Sequence, residues 1–159
     1  MSRNVEVTSR SSEYLQSISI GPHQFQADEP VEVGGRDSGP NPYELLLAAL
    51  GSCTGMTIRM YSERKRLPLE SVHVRLTQGR IHAEDCLDCE ANGGVVDQIK
   101  REISLVGDLT DAQRRRLLEI ANKCPVHRAL TSKIHIETRL TSFSAGDDIA
   151  PTMSPPSKA

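Results

Sequence analysis

Apolar and polar positions alternate in six stretches of this chain and crowd together in a seventh. Residues 5–10 (VEVTSR), 14–21 (YLQSISIG) and 23–30 (HQFQADEP) change polarity at roughly every second position. Gly21-Pro22 punctuates the last two, which predicts a short antiparallel meander. Residues 72–82 and 96–106 alternate over longer runs and predict a hairpin with its tip at 83–94, and residues 134–140 predict a last strand. The crowded stretch is LLLAALGSCTGM, residues 45–56. A helix start precedes it: Asn41 as N-cap, Pro42 at the first helical position and Glu44 at the third, a capping box. Apolar or small residues then occupy nearly every face, which predicts a helix buried all round and stopped by Pro68. Gly51 and Gly55 each cost about 1 kcal/mol against Ala, so a neighbouring backbone is expected close by. A second helix is predicted from Thr110, capped by Gln113 and ending near Lys123. Its apolar stripe is Ala112, Leu117, Leu118, Ile120 and Ala121, opposite a solvated Arg114, Arg115 and Arg116. His127 to Leu130 predicts a further helical turn.

Strands and helices segregated in this way predict an α+β fold in one domain, residues 1–142. The Pro/Ser-rich residues 143–159 are expected to be a disordered tail. A helix apolar on all sides needs more cover than one sheet and one further helix provide. The expectation is therefore an intertwined homodimer.

Composition narrows the function classes. The 159 residues are 37% hydrophobic and 25% charged, which suits a single soluble domain. A net charge of -2 gives no electrostatic reason to expect nucleic acid or an anionic membrane, and 3% aromatic content leaves no base-stacking platform. The N-terminus has no apolar segment of the signal-peptide kind, and no apolar run approaches the roughly 20 residues of a membrane span. A cytoplasmic location is the expectation. There, four cysteines read as free, redox-active or metal-binding thiols.

Cys53 lies inside the apolar helix, where a thiol is either a small buried hydrophobe or a reactive group. Cys124 stands where the second helix meets a Pro-limited turn. If the two helices pack together, the thiols approach each other, an arrangement suited to an attacking and a resolving cysteine. His82, Cys86 and Cys89 form another cluster, on the hairpin tip. Zinc, a redox CxxC and a solvated acidic loop are its competing readings; with one CxxC and no fourth ligand, the loop is preferred and no metal or cofactor is expected. His23, His73 and His135 fall in predicted strands, and the run Arg64 to Arg66 suits a helix C-terminus.

The stretch GPNPYELLLAALGSCTGMTIRMYSERKRLPLE, followed by HVRL and later by ANKCPVHRAL, resembles the OsmC-like family, which includes the organic hydroperoxide resistance proteins. The likeness spans roughly residues 15–140. It implies an intertwined α+β homodimer with long central helices wrapped by antiparallel sheets. It also implies reduction of organic hydroperoxides by two cysteines that cycle through a disulfide and are re-reduced by an external dithiol. Cys53 matches the family's attacking cysteine and Cys124 its resolving one. In the peroxidase branches an acidic residue directly follows Asn-Pro; here Tyr43 holds that position and Glu44 comes one later, about 100° further round the helix. Glu44 is thus either a catalytic partner or a helix cap. The family's activating arginine lies upstream of the helix, with Arg36 the first candidate and Arg10 the next. Such a cation is a physical requirement, because a thiol with pKa about 8.5 is only a few per cent ionised at neutrality and burial lowers that fraction. The rivals are a non-enzymatic binding protein of the same fold and a zinc- or redox-sensing module built on Cys86 and Cys89.

Overall fold

The structure is a computed structural model that describes residues 4–9, 13–82 and 95–140. The first alternating stretches form β1 (Val5–Ser9), β2 (Gln16–Ile20) and β3 (His23–Ala27), an antiparallel sheet in that order. Gly21 takes φ 57° in the turn joining β2 to β3, a left-handed conformation that costs glycine nothing.

The loop leading out of this sheet is organised by the buried Asp28. Its carboxylate accepts backbone N–H bonds from Glu29 at 2.9 Å, Arg36 at 3.0 Å and Ser38 at 3.2 Å. Burial pushes this carboxyl up, but the N–H donors of Ser38, Arg36 and Glu29 outweigh it, and its pKa lies below the usual carboxylate range. Gly35 is required here, since a Cβ would stand 1.8 Å from the Glu29 carbonyl oxygen. A group whose folded pKa is depressed stabilises the fold fully above its unfolded pKa, and loses that contribution as pH falls through the folded value. Asp28→Asn should therefore melt below wild type at neutral pH, with the gap closing on acidification below about pH 4. A gap that persists undiminished in acid would mean that the carboxylate's charge plays no part.

The central helix α1 (Pro42–Lys65) begins as its sequence predicts. Asn41 Oδ1 accepts the Glu44 N–H at 3.0 Å, and Glu44 Oε2 accepts the Asn41 N–H at 2.8 Å. Arg66, at φ 53°, ends it in a left-handed cap. The expectation of burial on all faces does not hold within one chain. Only the stripe Leu50, Thr54, Ile58 and Ser62, spaced every four residues, is buried, while Met56 and Met60 are 65% and 71% exposed. The reason is the shortage of partners: α1 packs on one strand and two short helices, and the β1–β3 sheet makes its main contacts within itself. The backbone expected near the two glycines is not there: at Gly51 a side chain comes close, with a Cβ placed 2.8 Å from Leu76 Cδ1, and Gly55 has no described atom within 4 Å.

The long hairpin is β4 (Leu69–His82) and β5 (Val95–Gly107), with Val74 opposite Ile103 and Leu76 opposite Arg101. α2 (Asp111–Ala121) carries the expected capping box of Thr110 and Gln113, and it buries Leu117, Ile120 and Ala121. Leu118 falls outside that stripe and is exposed. Arg114 is not on a solvated face: its guanidinium donates to the carbonyls of Leu105 and Gly107 at 2.7 and 3.0 Å and closes the end of β5. α3 (Pro125–Leu130) follows. Ile58, Leu69, Leu109, Leu117 and Ala121 make the core, flanked by Val72, Ile103 and Leu105.

The strand predicted at residues 134–140 is absent. Among the described residues that segment pairs with no strand, and Ile134, Ile136 and Leu140 are exposed. Alternation alone makes no strand without a neighbour to accept its backbone hydrogen bonds. The hairpin tip with Cys86 and Cys89, and the tail at 143–159, lie outside the described residues.

Candidate functional site

Three turns into α1, the buried Thr54 and the half-buried Cys53 stand side by side. α2 ends at Ala121, and the chain turns through Asn122 and Lys123 to Cys124, the N-cap of α3. Pro125 suits the first helical position, where its missing N–H costs nothing. This turn presses Cys124 against α1 until it is 0% exposed. Its Sγ accepts the N–H of His127 at 3.3 Å and lies 3.8 Å from the Thr54 hydroxyl, and the Cys53 thiol is near enough to lower its pKa. Both cysteines are free thiols.

The hairpin contributes a cation. On β5 the inward positions are Ile99, Arg101, Ile103 and Leu105, so one charge interrupts an apolar series. Arg101 Nη1 donates to Thr54 Oγ1 at 2.9 Å and to the Ala121 carbonyl at 3.5 Å, while Nη2 donates to Asn122 Oδ1 at 2.7 Å. Among the described residues, no carboxylate lies within ion-pair distance of Arg101. Burial pushes the Cys124 thiol up. The His127 N–H, the Thr54 hydroxyl, the neighbouring Cys53 thiol and the Arg101 charge pull it down further, leaving its pKa below the ordinary thiol value. Two neighbouring thiols, one buried and more acidic than usual and the other partly accessible, can close a disulfide once an oxidant has reached the accessible sulfur.

The expected site residues are distributed unevenly. Cys53 and Cys124 come together. Arg36 donates its backbone N–H to Asp28, and its guanidinium pairs with Glu13 on a side chain that is 70% exposed. Glu44 is engaged in the helix cap; nine residues before Cys53, it lies about 13 Å along the axis and half a turn round. Arg10, Cys86, Cys89 and the His82 side chain lie outside the described residues. Among the described residues, no group of three His, Cys, Asp or Glu is placed to hold a metal ion. Sequence reasoning missed Arg101 and Thr54. The signal for Arg101 was present, because a charge on the buried parity of a strand requires a partner. Thr54 had no signal beyond its place beside Cys53.

No described helix is long and apolar enough to cross a membrane. A family model described as OsmC-like protein matches residues 35–139. Comparison with curated proteins gives no match. Among solved structures, the chain resembles an OsmC-like protein from Mycoplasma pneumoniae at 16% identity and TM-score 0.61, covering 82% of this chain and 89% of that one. An organic hydroperoxide resistance protein OsmC from Legionella pneumophila is 18% identical with TM-score 0.58, the match covering 80% and 89%. An organic hydroperoxide resistance protein from Elizabethkingia anophelis is 17% identical with TM-score 0.57, covering 80% and 88%. Identities this low speak to the fold.

Proposed function

Because the chain belongs to the OsmC-like protein family, we propose that it reduces organic hydroperoxides through the thiols of Cys53 and Cys124. The observation that carries this reading is the nearness of these thiols, one half-buried and one fully buried. Cys53 attacks the peroxide and becomes a sulfenic acid; Cys124 displaces the hydroxyl to form a disulfide; an external dithiol restores both. The apolar run around Cys53 favours organic hydroperoxides over hydrogen peroxide. The peroxide-resistance names of two structures of the same fold agree with this redox role.

The working unit in this reading is a cytoplasmic homodimer. The exposed Tyr43, Met56 and Met60 of α1, and the unpaired residues 134–140, are the surfaces that a second copy would cover. In its own chain Glu44 is engaged in the helix cap and faces away from Cys53, and Arg36 pairs with Glu13. Those same two placements favour the second reading, a binding protein of this fold without peroxidase activity.

Stopped-flow mixing of the reduced protein with cumene hydroperoxide separates the two. The peroxidase reading expects rapid loss of two thiols per chain and formation of cumyl alcohol. Thiols that survive the mixing would leave the binding protein.

A further inference from the structure

The dithiol and Arg101 together raise a question of charge placement. Arg101 is half-buried on the inward face of β5, and among the described residues no carboxylate balances it. A cation in such a place is costly unless an anion or a set of acceptors answers it. It reaches three acceptors: Thr54 Oγ1, the Ala121 carbonyl and Asn122 Oδ1. The last two belong to the segment that delivers Cys124, and the first touches Cys124 itself. The ionisable groups around that sulfur are Cys53 on α1, Arg101 on β5 and, along its own segment, Lys123, His127 and Arg128.

Thr54 has one hydroxyl proton and two acceptors within reach, the Leu50 carbonyl at 2.7 Å and Cys124 Sγ at 3.8 Å. The Arg101 N–H already occupies one of its oxygen lone pairs. While Cys124 is a neutral thiol, the proton belongs on the Leu50 carbonyl. Once Cys124 ionises, rotation about one bond turns the proton toward the sulfur, where Arg101 polarises it.

We propose that Arg101, acting through the Thr54 hydroxyl and aided by the His127 N–H, places the negative charge of the dithiol on the buried Cys124 rather than on the accessible Cys53. Arg101 and Thr54 are positioning residues, and Cys124 serves the reaction twice. First it takes the Cys53 proton, and the Cys53 thiolate attacks the distal oxygen of the hydroperoxide. The O–O bond breaks to give Cys53 sulfenic acid and an alkoxide, which recovers that proton from Cys124 and leaves as the alcohol. The Cys124 thiolate, formed again, then attacks the Cys53 sulfur; an S–S bond forms, the S–O bond breaks and hydroxide departs. The two sulfurs are each oxidised by one electron, and the peroxide gains two. Burial of Cys124 keeps its anion from meeting the peroxide directly, so the exposed partner is oxidised first. The catalytic use of the anion rests on the peroxidase reading; its location does not.

Thiolate absorbance near 240 nm, titrated without peroxide in a Cys86→Ser/Cys89→Ser background, tests the location. With Cys53 also changed to Ser, Cys124 is expected to ionise below the ordinary thiol range. Arg101→Met and Thr54→Val are each expected to raise that value by about one unit, tenfold less thiolate at a given lower pH, with Thr54→Ser restoring it. The pH at which hydroperoxide consumption rises should move with it. Cys124 ionising at or above the ordinary thiol range, or unmoved by both variants, would overturn the charge placement even in an active enzyme. An Arg101-dependent low titration in a protein that consumes no hydroperoxide would support the placement and overturn its catalytic use.

Discussion

Cys53→Ser is expected to abolish organic hydroperoxide consumption, a loss of at least about a thousandfold, because in this reading Cys53 supplies the attacking sulfur. Cys124 is fully buried and cannot take over for it. Cys124→Ser should fail differently. The first oxidation proceeds, slowed by roughly a hundredfold or more for want of the base, and halts at a Cys53 sulfenic acid that dimedone traps and mass spectrometry locates. Wild-type protein oxidised with one equivalent of hydroperoxide should yield a peptide joining Cys53 to Cys124. A Cys53→Ser protein retaining a tenth or more of wild-type activity would remove Cys53 from the mechanism. A cross-link joining Cys86 to Cys89 in place of that peptide would move the redox chemistry to the hairpin tip.

Leu117→Ala carries the largest expected loss of stability. Leu117 is 0% exposed and packs among Ile58, Leu69, Leu109 and Ala121, the point where α1, α2 and the hairpin meet. Truncation there removes buried methyl groups and leaves a cavity that helices anchored at both ends cannot close, so about 3 kcal/mol is expected. In a chain of this size that lowers Tm by roughly 6–12 °C. Leu118, one position along and exposed, is the control, and Leu118→Ala should change stability by no more than about 0.5 kcal/mol. Thermal melts of the two variants decide the matter. Equal losses at both positions would show that Leu118 is covered in solution, which the described residues of one chain do not do.

What the residues determined unaided was local. Asn41, Pro42 and Glu44 specify the start of α1 because a capping box needs only four consecutive residues and the backbone they terminate. Thr110 and Gln113 start α2 in the same way, and Gly21 sets a turn by its own φ. The family likeness, carried by the apolar helix and Cys-Pro, was also legible, since both thiols are marked by nearby sequence. Alternation located the strands but could not say which would find partners. Residues 134–140 alternate as well as β1 does, yet they form no ladder among the described residues, because a strand exists only through a neighbour's hydrogen bonds. Packing alone decided that α1 buries one stripe and that Arg114 turns inward to the end of β5. Above all, it brought Arg101 from a strand 47 residues away to Thr54, and so to Cys124. Charges on a thiol are set by whatever lies within a few ångströms of it, and only the tertiary fold sets that distance.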